Sequence, residues 1–174
     1  MLHYAVHARR MDAHGSFATA KATELLLDTG IDGRPDAFNP AELLLASLAA
    51  CMIKSIERVT RILEFDLHGV EVRLEAIRQD RPPKIASIDY EIIIDTEEND
   101  RRLELLHVNV CKYGTIFNTI AAATTLKGSL RRKAVATAAE RAEHDAEIMR
   151  IGAFSRAMID SVPEPGTDVL HEGP

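Results

Sequence analysis

Hydrophobic positions along this chain recur at two periods, and each period predicts a different element. Val70, Val72, Leu74 and Ala76 alternate with Glu71, Arg73 and Glu75, which predicts a strand over Val70–Gln79 with one buried face. A second strand is predicted over Ile85–Thr96, ending in the run Ile92-Ile93-Ile94, with Pro82-Pro83 in the connection. Looser alternation predicts strands over Leu2–Arg10 and Phe17–Leu27, turning near Gly15, and a last one over Thr124–Arg132. The turn residues of Asp28–Pro35 predict a loop.

The helical signals begin at Asn39. It can cap a helix, Pro40 suits the first helical position, and Glu42 stands where a capping box needs its carboxylate. The helix this predicts covers Ala41–Leu63. Its first half, Leu43–Ile53, is apolar on every face, which suits the centre of a fold or a subunit interface. Lys54, Glu57, Arg58 and Arg61 turn the second half toward water. Leu103, Leu106, His107 and Val110 have helical spacing within Glu98–Val110. Tyr113-Gly114 breaks that pattern, and a short helix follows over Thr115–Ile120.

Val135, Ala139, Ala142, Ala146 and Met149 form a narrow seam at helical steps, so residues 134–162 read as a helical extension. Residues 163–174, opening on Pro163-Glu164-Pro165-Gly166, read as a disordered tail. The order of elements is an α+β pattern with antiparallel pairing, in one main domain over 1–133.

Composition narrows the function. Charged residues make up 28% of the chain and the net charge is −6, with no Lys/Arg tract free of balancing acids. A nucleic-acid partner is not expected. No apolar run reaches the roughly 18 residues a membrane span needs. Met1-Leu2-His3-Tyr4-Ala5 lacks the charged-then-greasy pattern of a signal peptide, so a cytoplasmic location is expected. No Gly-rich phosphate loop and no Gly-x-Ser-x-Gly elbow occurs, and no cofactor is expected.

Two cysteines remain as candidate chemistry. In such a chain they read as free thiols, redox groups or metal ligands before a structural staple. Cys51 lies within the apolar helix, where a cysteine is often only a small hydrophobe. Apolar surroundings disfavour a thiolate, so a nucleophile there needs a cation beside it, and Arg9 and Arg10 are the candidates. Cys111 has His107 one helical turn before it. A structural zinc site wants four ligands, and neither Cys-x-x-Cys nor His-x-x-x-His accompanies this pair, so no metal is expected.

The run Asn39-Pro40-Ala41-Glu42-Leu43-Leu44-Leu45-Ala46-Ser47-Leu48-Ala49-Ala50-Cys51 resembles the signature helix of the OsmC/Ohr family. Lys112-Tyr113-Gly114-Thr115-Ile116-Phe117-Asn118-Thr119-Ile120 resembles its second motif, and the likeness covers roughly residues 1–133. The resemblance implies an OsmC-like fold in an intertwined homodimer, with antiparallel sheets wrapped around central apolar helices and an active site at the dimer interface. It also implies a peroxidatic thiolate at Cys51, an Arg that stabilises it and a Glu that orients the Arg. A second Cys closes a disulfide, which a thiol reductant then opens. Two positions depart from the pattern. The resemblance places the orienting Glu at Ala41, with Glu42 one position later. It places the second Cys at Gly114, with Cys111 three residues upstream.

Two functions follow. One is a thiol-dependent peroxidase reducing organic hydroperoxides, with Cys51 as nucleophile, Arg9 or Arg10 as activator and Cys111 as the resolving thiol. The other is a non-peroxidatic OsmC-like protein that binds a small apolar ligand in the interface cleft and keeps Cys51 for packing.

Overall fold

The computed structural model describes residues 2–134; from residue 135 on, the extension expected over 134–162 and the tail after it lie outside the described residues. In chain order the elements are β1 (His7–Arg10), β2 (Ser16–Ala20), β3 (Thr23–Leu27), α1 (Pro40–Leu63), β4 (Gly69–Asp80), β5 (Pro83–Asp95), α2 (Asp100–Tyr113), α3 (Thr115–Ala121) and β6 (Thr125–Arg132). Of these, residues 2–133 belong to one compact unit.

Helix α1 starts where its cap residues demand. The Asn39 side chain accepts hydrogen bonds from the Ala41 and Glu42 amides at 2.9 and 3.0 Å. The Glu42 carboxylate reaches back to accept the Asn39 amide at 2.9 Å, which completes a capping box. The helix stops at Glu64, whose left-handed backbone brings the following Phe65 amide onto the Thr60 carbonyl at 2.9 Å. One stripe of α1 is buried: Leu48, Met52, Ser55, Ile56, Val59 and Thr60. The other faces of its apolar half are incompletely covered within one chain, since Leu44 is 37% exposed and Leu43, Leu45 and Ile53 are half-buried.

That stripe packs on β5. Period-two alternation sends Ile88, Tyr90, Ile92 and Ile94 to one face, where they meet α1 and Leu103, Leu106 and Val110 of α2. Val70, Val72, Leu74 and Ala76 of β4 flank the same core. Arg102 ties the two helices together: its guanidinium donates to the Leu63 and Glu64 carbonyls at the end of α1, at 2.8 and 3.0 Å. These carbonyls have no partner within the helix, so α2 satisfies what the end of α1 leaves open.

Three strand pairs are antiparallel, as expected, and one is not. β4 pairs antiparallel with β5, with Leu74 opposite Tyr90, but β5 pairs parallel with β6, with Tyr90 opposite Gly128. The reason lies in the connection. β5 reaches β6 only through α2 and α3, and a crossover through helices returns the chain in the same direction. A second correction concerns Phe17–Leu27, which is not one strand. The backbone at Lys21 takes φ of 54°, the chain folds back, and β2 pairs antiparallel with β3. Of the strand expected over Leu2–Arg10, only His7–Arg10 is paired, against β2. α2 runs beyond Val110 to Tyr113, so Cys111 lies inside it.

Candidate functional site: two thiols at the α2–α3 junction

The break at Gly114 builds the site. α2 ends at Tyr113 and α3 begins at Thr115, so the amides of the first turn of α3 have no helical partner. One of them finds a sulfur: the Ile116 N–H donates to Cys51 Sγ at 3.4 Å. Cys51 is half-buried on α1 and faces this junction from the side. Gly114 stands beside it, and a Cβ on Gly114 would lie 3.8 Å from Cys51 Sγ. That Cβ would also lie 2.9 Å from Phe117 Cβ and 3.0 Å from the Val110 carbonyl oxygen. Position 114 therefore has no room for a side chain unless α3 shifts, and the second thiol of this chain is Cys111.

Cys111 precedes Gly114 by three residues, the spacing that puts two positions on one face of a helix. Its environment is polar in an otherwise apolar layer. The Tyr90 hydroxyl lies 3.3 Å from Cys111 Sγ and 3.0 Å from His107 Nε2. The Tyr90 ring meets His107 and Phe117 edge to face, with centroids 5.8 and 5.9 Å apart. Burial above all holds the Tyr90 phenol above its ordinary range. Burial pushes the His107 imidazole below its own, which favours the neutral ring.

The other expected residues are placed elsewhere. Arg9 and Arg10 lie on the exposed strand β1, where Arg9 donates to Met11 Sδ at 3.6 Å. Among the described residues neither guanidinium bonds a thiol of its own chain. Glu42 is engaged in the cap of α1, and Ala41 offers no carboxylate in its place. Among the described residues no group of three or more His, Cys, Asp or Glu converges on a metal. No helix among them is long and apolar enough to cross a membrane. A cleft of about 540 Å³ opens beside β2, lined in part by Met11, His14, Phe17, Leu26 and Arg34, and neither cysteine reaches it.

Sequence reasoning identified both cysteines and the His107–Cys111 spacing. It missed Tyr90 and the Ile116 amide. The one available signal for Tyr90 is a lone hydroxyl in the apolar alternation Ile88, Tyr90, Ile92, Ile94.

The OsmC-like protein family profile matches residues 33–128, more than half of the chain, and spans α1, both thiols and the junction. The chain belongs to the OsmC-like family. Solved structures agree on the fold. An OsmC-like protein from Mycoplasma pneumoniae superposes with a TM-score of 0.70 at 16% identity, covering 76% of this chain and 99% of that one. An organic hydroperoxide resistance protein from Legionella pneumophila gives a TM-score of 0.59 at 20% identity, covering 75% and 97%. The organic hydroperoxide resistance protein OhrB of Bacillus subtilis gives 0.56 at 16% identity, covering 75% and 98%. No curated protein matches the sequence. At such identities the likeness of this OsmC-like chain to the solved structures is one of fold.

Proposed function

We propose that this OsmC-like protein is a cytoplasmic thiol-dependent peroxidase that reduces organic hydroperoxides and works as a homodimer. The observation that carries the reading is the Ile116 amide aimed at Cys51 Sγ. That backbone N–H fixes the direction of the sulfur and presents a donor to it at the position from which it would attack a peroxide. Cys51 stands in the apolar half of α1, which suits a hydroperoxide carried on a hydrocarbon.

In the first step the Cys51 thiolate attacks the distal peroxide oxygen. An S–O bond forms, the O–O bond breaks, and the alcohol leaves after taking a proton. In the second, the sulfur of Cys111 attacks the Cys51 sulfenic acid, an S–S bond replaces the S–O bond, and water leaves. A dithiol reductant returns both thiols by exchange. The uncovered apolar faces of α1 support a second copy as the cover, because exposed apolar faces of this kind mark an interface. Arg9 and Arg10 make no bond to a thiol of their own chain, so in this reading the activating arginine comes from the second copy.

The vacant carboxylate at Ala41 supports a second reading, a non-peroxidatic protein that holds a small apolar ligand in the interface cleft. Turnover separates the two. Purified protein with cumene hydroperoxide and a dithiol consumes the peroxide, and Cys51→Ser abolishes consumption. Absence of turnover with several dithiols leaves the ligand-binding reading.

A further inference from the structure

The attack of Cys51 on a peroxide makes no use of Tyr90 or His107, yet these are the polar side chains set into the wall behind Cys111. The Tyr90 hydroxyl sits between His107 Nε2 at 3.0 Å and Cys111 Sγ at 3.3 Å, and Tyr90 itself is only 8% exposed. Its ring is fixed on several sides. Phe117 and His107 hold it edge to face, and on β6 the residue opposite is Gly128, where any Cβ would overlap the Tyr90 carbonyl and ring. A phenylalanine would fill that space equally well, so packing alone gives no reason for the hydroxyl. What the hydroxyl adds is a continuous line of donors and acceptors from the sulfur to the imidazole.

We propose that Tyr90 and His107 form a proton relay that takes the Cys111 proton as this sulfur attacks oxidised Cys51, a role that rests on the peroxidase reading above. The Cys111 S–H donates to the Tyr90 oxygen while the Tyr90 O–H donates to His107 Nε2. As the S–S bond forms, the sulfur's proton passes to Tyr90 and the phenol's own proton passes to the imidazole. The S–O bond of the sulfenic acid breaks, the departing hydroxide takes a proton from solvent and leaves as water, and His107 then returns its proton to solvent, so the thiol's proton is accounted for. The oxidant is the organic hydroperoxide that made the sulfenic acid, and the step needs no other. Tyr90 touches the reacting sulfur and is the catalytic residue of this step. His107 acts through Tyr90 and is a positioning and proton-accepting residue. The environment suits both roles: the phenol is held far above neutral pH, so it passes a proton without losing one, and the imidazole is kept neutral as an acceptor.

The test is a single turnover of the full chain with one equivalent of cumene hydroperoxide. Cys51 sulfenic acid is trapped with dimedone and disulfide closure is followed by mass spectrometry. Tyr90→Phe keeps the ring, and His107→Gln keeps a hydrogen-bonding group that cannot hold a proton. Both variants are expected to form the sulfenic acid at the wild-type rate and to close the disulfide about a hundredfold or more slowly, the usual scale for a lost general base. Wild-type closure should also slow as pH falls through the titration of one group, and that dependence should vanish in His107→Gln; Tyr90 and Cys111 are the titratable groups bonded in the same line. Closure at the wild-type rate in both variants overturns the relay and leaves the peroxidase reading intact. A wild-type chain that forms no Cys51 sulfenic acid overturns both.

Discussion

Ile116 donates its backbone amide to Cys51 Sγ across 3.4 Å, joining the first turn of α3 to the middle of α1. The contact depends on where α3 starts, and Gly114 decides that. Phe117 and the Val110 carbonyl crowd the position a Cβ would take, and Cys51 lies just beyond.

Gly114→Ala should therefore push α3 away from Cys51. The expected cost is about 1–3 kcal/mol in urea unfolding, typical of forced overpacking. Reactivity of Cys51 toward hydroperoxide should fall with it. A variant as stable and as reactive as the wild type would show that the Ile116 amide is dispensable.

Glu42 offers a sharper separation of roles. Its carboxylate is bound to the Asn39 amide, so Glu42→Ala should cost roughly 0.5–2 kcal/mol of stability, as cap losses do. Peroxide reduction per folded molecule should stay unchanged. A large loss of reduction rate without a loss of stability would mean that Glu42 leaves the cap to orient an arginine.

His107 sets a pH dependence of stability. Burial lowers its folded affinity for protons below the unfolded value, so below about pH 6.5, the ordinary titration of an unfolded histidine, the unfolded chain binds more protons. The contribution is present above that pH and is lost as pH falls toward the lower folded value. Urea midpoints measured between pH 7.5 and 5.5 should fall more steeply for the wild type than for His107→Gln. Equal slopes would place His107 in a solvated site.

The fold was legible in the sequence wherever one local signal was strong. Asn39, Pro40 and Glu42 announce α1, and the alternation of β4 gives its buried face. Phe17–Leu27 read as one strand because Lys21-Ala22 carries no Gly, Asn or Pro to mark its turn, although Lys21 adopts the left-handed backbone such residues favour. The parallel β6 was hidden because pairing direction depends on the path through α2 and α3, not on the pattern of β6. For the site, the helical spacing of His107 and Cys111 was plain, but their common partner Tyr90 lies 17 residues from His107 on a strand. The proposed activating arginine poses a different problem. Arg9 and Arg10 stand on the exposed strand β1 with no bond to a thiol among the described residues, and spacing along one chain says nothing of a second copy.

The central claim is that Cys51 is a nucleophile toward organic hydroperoxides. Its most direct test is Cys111→Ser protein mixed with one equivalent of cumene hydroperoxide in the presence of dimedone, read by peptide mass spectrometry. The account predicts one dimedone adduct on Cys51 with a matching loss of peroxide. Unmodified Cys51 beside unconsumed hydroperoxide would contradict it.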